Sequence, residues 1–182
     1  GIILANEVLD ALPTKCFCIR NKKIFERGVT VKNEGLCWSE MEAGSNLKNM
    51  VEDLLKKIPH ILPEKYYSEI SLQQNNFVKT LGRNLAEGFV ILCDYGYSRN
   101  EYYKAERDMG TLICHYRHNA HDNPFINIGN QDITASVDFS YVSEIAQLSG
   151  FDLVAYTTQA QFVLSAGVIE DFSIPNNIKE IK

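Results

Sequence analysis

The chain has 182 residues, 45% of them hydrophobic and 23% charged, enough for a packed globular core and too apolar for a disordered or collagen-like chain. Eighteen Lys and Arg against 23 Asp and Glu give a net charge of −5, which excludes a broad basic surface for nucleic acid. The longest uncharged apolar stretch, Gly88–Cys93, is far shorter than the ~20 residues that a bilayer span needs, and the odd set of five cysteines without a CxxC pair fits a reduced protein.

In chain order, Gly1–Ala5 is an apolar run without alternation, predicting a strand buried on both faces of a parallel sheet. Residues 14–42 predict an inserted antiparallel β meander, with turns at Arg20–Lys23 and Asn33–Gly35. Leu47, Met50, Val51, Leu54, Leu55 and Ile58 follow the spacing of a buried helical stripe. The spacing predicts a helix over 46–58, capped by Ser45 and stopped by Pro59 and Pro63. A second helix is expected over 71–87 with Gly88 as its C-cap, then a doubly buried strand, Phe89–Cys93. Residues 98–136 read mostly as loop, with Thr111–Tyr116 as the strand candidate. A helix over 137–148, a third core strand over Phe151–Tyr156, a short helix over 157–166 and a poorly structured tail over 173–182 complete the expectation. Short apolar strands separated by helices imply an α/β fold of the doubly wound, Rossmann-like type, in one domain over 1–182.

In such sheets ligands bind beyond the carboxyl ends of the strands. Asn6-Glu7 and Asp94-Tyr95-Gly96-Tyr97 stand at two of those ends, where a carboxylate can hold a guanidinium in a bidentate pair or act as a general base. Capping of turns by Asn and Asp is the plain alternative. His115, His118 and His121 are spaced for one helix face, but Gly110 and Pro124 bracket them and no apolar stripe accompanies them. A loop of solvated histidines is expected rather than a metal site, with His118 the best functional candidate. No GxGxxG, GxxxxGK[ST], GxSxG or HExxH occurs.

Ala5-Asn-Glu-Val-Leu-Asp-Ala-Leu-Pro13 resembles the ANExxDALP motif of the MidA-like proteins. Asp94-Tyr-Gly-Tyr97, Tyr103, Arg107, Gly110-Thr-Leu112, His118, Gly129-Asn-Gln-Asp-Ile-Thr-Ala135, Val137-Asp-Phe139 and Thr158-Gln-Ala-Gln-Phe162 follow in that family's order, so the resemblance covers residues 1–170. The family consists of S-adenosylmethionine-dependent methyltransferases of the class I fold, and its mitochondrial member methylates an arginine during respiratory complex I assembly. The resemblance implies a partial class I sheet with S-adenosylmethionine as cofactor. It implies Glu7, Asp94 and His118 as catalytic residues, Asn6 and Glu7 on the cofactor side, and Asp10, Tyr95, Tyr97, Gln131 and Asp132 on the substrate side, with no metal. It implies an arginine-bearing protein substrate, and a bacterial cytoplasm or a mitochondrial matrix as location. Ser136 stands where the family pattern has His.

The family's glycine-rich cofactor turn lies upstream of the ANE strand, and its last antiparallel strand follows the residue that aligns with Ile181. The chain therefore reads as the C-terminal part of a larger methyltransferase domain. Alone it is expected to lack tight cofactor affinity and activity, and to self-associate or to pair with its N-terminal half. The competing reading is a non-catalytic, protein-binding assembly module. A metal hydrolase built on the histidine run ranks third.

Overall fold

A computed structural model describes residues 1–33 and 35–167. The expected tail over 173–182 lies outside these residues. The chain forms two units, Gly1–Phe151 and Asp152–Lys182.

The first unit runs β1 (Ile2–Asn6), β2 (Thr14–Arg20), β3 (Lys23–Lys32), β4 (Gly35–Glu42), α1 (Ser45–Lys57), β5 (Lys65–Ser71), α2 (Gln73–Asn84), β6 (Phe89–Cys93) and β7 (Gly96–Tyr97). It continues with α3 (Arg99–Tyr102), β8 (Ile113–Tyr116), β9 (Asn119–His121), β10 (Asp132–Thr134), β11 (Val137–Asp138) and α4 (Phe139–Leu148). The second unit has α5 (Gln159–Ser165), whose N-cap Thr158 accepts from the Gln161 N–H at 3.2 Å.

The strands form four sheets among the described residues: parallel pairs β1–β6 and β7–β11, a three-stranded sheet β10-β8-β9, and a four-stranded antiparallel sheet β4-β3-β2-β5. The fold is thus mixed α/β. Of the partial doubly wound sheet expected from the apolar runs, the described residues hold the parallel β1–β6 pair. In β1 of this chain, Ile2 is 75% and Leu4 67% exposed. Its only ladder partner among the described residues is β6, in the register Ile2↔Phe89 to Asn6↔Cys93. An apolar run marks a strand; it does not supply the neighbours that would bury it.

The meander stands where the alternation and turn residues put it. Asn21, Lys22 and Asn33 adopt the left-handed conformation that tight hairpin turns require. β5 is an addition that the sequence reading did not contain; it pairs antiparallel with β2 from Thr14↔Ser71 to Arg20↔Lys65. Helix α1 lays Leu47, Val51 and Leu54 on this sheet, against Phe17, Ile19, Tyr66 and Ile70. Fully burying a side chain such as Phe17 contributes about 2 kcal/mol. Gly44, not Ser45, is the N-cap of α1. A second core joins Leu9, Val78, Val137, Val142 and Ile145, and so ties the turn after β1 to α2, β11 and α4.

Several boundaries differ. Helix α2 ends at Asn84, so Gly88 is not its cap. Residues 98–136 hold α3 and three strands rather than a long loop. Asp138 caps α4 by accepting from the Tyr141 N–H at 3.0 Å. Residues 151–158 form no strand, and Leu153, Val154 and Tyr156 are exposed.

Candidate functional site at the strand ends

β1 and β6 run parallel, so their carboxyl ends lie side by side and bring Asn6-Glu7 next to Asp94-Tyr95. Glu7 turns the chain out of the ladder in a left-handed conformation (φ 52°), sparsely populated for a residue with a Cβ, while its N–H still donates to the Cys93 carbonyl at 2.9 Å. Asp94 fixes the turn that follows. Its Oδ2 accepts from the N–H groups of Val8 (3.1 Å) and Leu9 (2.8 Å), and its Oδ1 from that of Tyr95 (3.0 Å). The carboxylate thereby satisfies three backbone donors, and Leu9 is driven into the second core.

Two further segments close on this turn. The Ala135 N–H donates to the Asp10 carbonyl at 3.1 Å, and the Val137 N–H to the Tyr95 carbonyl at 2.8 Å. Gly96 permits this approach: a Cβ there would stand 2.3 Å from the Val137 carbonyl oxygen.

The result is a cluster of three carboxylates. Glu7 is exposed, and its charge raises the pKa of the neighbouring Tyr95 phenol. Asp10 is only 7% exposed, and its Oδ1 has no hydrogen-bond partner. Burial first, then the charge of Asp94, pushes its pKa up. Such a cluster suits a cationic ligand, since buried carboxylate is costly until a cation or further donors reach it.

The other predicted residues stand apart. Tyr97, in β7, lies under the Arg107 guanidinium at 4.0 Å. Gln131 donates to the Pro124 carbonyl at 3.0 Å, and Asp132 pairs with His115 in the β10–β8 ladder. His118 occupies the exposed turn between β8 and β9 and makes no hydrogen bond or ion pair with the strand ends among the described residues. His121 faces Cys114 across the hairpin while His115 faces Ala120, so neighbouring positions send the histidines to different faces. Among the described residues no three His, Cys, Asp or Glu side chains converge to hold a metal.

A polar site that the sequence reading missed lies in β5. Glu69, 3% exposed, accepts through Oε2 from the Thr111 N–H (2.9 Å) and hydroxyl (3.3 Å), and through Oε1 from the Leu112 N–H (3.4 Å). Thr111 Oγ1 in turn accepts from the Ser136 N–H at 3.0 Å and lies 3.1 Å from the Tyr102 hydroxyl. Gly110 (φ +82°) allows the contact, since a Cβ there would stand 2.1 Å from Glu69 Oε1. Burial pushes the Glu69 carboxyl up. Nearby, Arg99 pairs with Asp138 (3.3 Å) and Glu144 (2.5 Å), and a cavity of about 350 Å³ opens between Glu69, Gln74, Arg99 and Asp138. The Gly110-Thr-Leu112 motif was the available signal; its partner in β5 was not readable from spacing.

A family model described as "Putative S-adenosyl-L-methionine-dependent methyltransferase" matches residues 1–157. The chain belongs to this family. Two crystal structures are similar to it, both of COG1565 superfamily proteins from Burkholderia thailandensis. One, bound to S-adenosyl-homocysteine, is 37% identical with a TM-score of 0.85 and is matched over 94% of this chain and 43% of its own. The other, a native structure, is 37% identical with a TM-score of 0.86, matched over 94% and 45%. The chain thus spans less than half the length of either structure. No curated protein matches it. The family's cofactor is S-adenosyl-L-methionine, and the strand ends fit a cationic sulfonium: Asn6 and Glu7 are exposed at the carboxyl ends of a parallel pair, beside two further carboxylates. In the first unit, as in the second, no described helix is long and apolar enough to cross a membrane.

Proposed function

We propose that these residues form the acceptor side of an S-adenosylmethionine-dependent methyltransferase of the MidA-like type, which methylates an arginine of a protein substrate in the context of respiratory complex I assembly. The observation that carries this reading is the gathering of Glu7, Asp10 and Asp94 at the carboxyl ends of β1 and β6. When bound, the cofactor supplies an electrophilic methyl group. Asn6 and Glu7 line its side of the site. Glu7, beside the Tyr95 phenol, accepts two N–H bonds of the guanidinium and leaves one nitrogen free to face the methyl. Asp94 holds the turn that carries them, and Asp10 takes up the proton that the nitrogen sheds on methylation. Most of the rate then comes from positioning and fixed charge.

The test is methyl transfer to an arginine peptide by the intact natural protein and by its Glu7→Gln variant. Turnover is expected to fall about 100-fold, ~3 kcal/mol, and cofactor affinity by about tenfold at most, since Glu7 also lines the cofactor's side. Unchanged turnover removes Glu7 from the site.

A second reading, a partner-holding module, is favoured by the uncovered apolar surface of Ile2, Leu4 and Phe89 on the β1–β6 pair. An open apolar edge templates association with another chain, either a second copy or the remainder of the methyltransferase sheet.

A further inference from the structure

Beside the acid cluster lies a groove of about 490 Å³ between the outer face of β3–β4, the Leu12-Pro13 segment and the 124–135 stretch. One wall is apolar and open, with Val29 53% and Ile128 58% exposed, and the Lys15–Glu26 ion pair lines the groove as well. Trp38 forms its floor, in edge contact with Phe125 (ring centroids 5.2 Å apart) and stacked on the Arg27 guanidinium at 4.0 Å. Arg27 is itself held over the Tyr67 ring at 4.6 Å, so the aromatic wall is fixed before any ligand arrives. Asp10 lines the same groove, and it carries the buried, unpartnered carboxylate oxygen of the cluster.

We infer that this groove docks an extended polypeptide segment in which an apolar side chain, aromatic or aliphatic, lies within two residues of the cation held at Glu7 and Asp10. The inference rests on the acceptor-site reading of the strand ends. Charge complementarity selects the occupant. The groove has an apolar wall, its Lys15 is spent on Glu26 and its Arg27 is held between Trp38 and Tyr67, which leaves the Asp10 carboxylate as the charge with an unpartnered oxygen. A purely apolar partner leaves Asp10 unpaired, and a uniformly basic one leaves Val29, Leu36 and Ile128 uncovered. The inserted meander thereby acts as a specificity element, reading the residues that flank the acceptor.

Trp38 is the only tryptophan in the chain, so its emission reports occupancy of the groove directly. The experiment titrates the cofactor-free protein with the peptide Gly-Phe-Gly-Arg-Gly-Phe-Gly, with a version carrying Ser for both Phe, and with a version carrying citrulline for Arg. The first is expected to give a saturable Trp38 shift, and the other two to bind at least about tenfold more weakly. Asp10→Asn is expected to weaken the first peptide to the citrulline level. Val29→Glu, at an exposed wall position that leaves the core untouched, is expected to abolish the shift while the thermal midpoint stays constant. Equal responses to all three peptides, or none, overturn the inference. So does a concentration-dependent Trp38 shift with dimers in light scattering, which would make a second copy the occupant. Because no cofactor is present, a silent Trp38 leaves methyl transfer to arginine unaffected, and a failed methyl-transfer assay leaves the docking result standing.

Discussion

Two carboxylate sites in this molecule use the same device and end in opposite states. At the strand ends Asp94 collects three backbone N–H groups; in β5 Glu69 collects two, with a hydroxyl besides. Around Glu69 both carboxylate oxygens are engaged, and Gly110 lets the 110–112 segment reach them. Around Asp94 two additional carboxylates remain, one exposed and one buried with an unpartnered oxygen. Completed hydrogen bonding points to a structural tie between β5 and the 110–112 segment. Surplus acceptor capacity at a sheet's carboxyl end points to a ligand.

The sharpest way to break this contrast is at Gly110. Gly110→Ala forces a Cβ into Glu69 at a backbone angle that disfavours side chains, and is expected to destabilise the first unit by about 3 kcal/mol in chemical denaturation. A loss below about 1 kcal/mol would mean that the Glu69 tie is loose. Asp94→Ala strips three donors of their acceptor and is expected to cost about 2 kcal/mol. If it cost nothing, Asp94 would belong with the spare carboxylates.

The smallest effect has the opposite sign. The folded-state pKa of Asp10 is raised above its ordinary 3.8, so the folded chain holds this proton more tightly than the unfolded one. Its contribution to stability is therefore fully present below 3.8 and is lost as pH rises through the folded value. Asp10→Asn removes that loss. It is expected to raise stability at pH 7 by about 1 kcal/mol or less, read as a higher thermal midpoint, with the gain vanishing toward pH 3.8. A lowered midpoint at pH 7 would show that the Asp10 charge is satisfied in the folded state.

Legibility in the sequence followed the range of the interaction. The α1 stripe and the meander were readable because helical spacing and turn residues such as Asn21 and Asn33 are local signals. The coincidence of Glu7 and Asp94 was readable from strand order, as parallel strands put their carboxyl ends together. β5 was not, because Ser68, Glu69 and Ser71 look solvated until β2 and the Thr111 segment cover them. The apolar run over 151–156 misled for the converse reason: hydrophobicity alone produced no strand there among the described residues. The groove beside Asp10 is assembled from four distant segments, and nothing in any one of them announces it.

The most direct measurement sets Glu7→Gln beside Glu69→Gln, with methylation of an arginine peptide per folded molecule and the thermal midpoint read on the same samples of the intact protein. The expected result is a crossover: Glu7→Gln loses about 100-fold in turnover at an unchanged midpoint, and Glu69→Gln loses about 2 kcal/mol of stability at unchanged turnover. The contradicting result is turnover that survives in Glu7→Gln and collapses in folded Glu69→Gln, which would move the acceptor site from the strand ends to the buried carboxylate of β5.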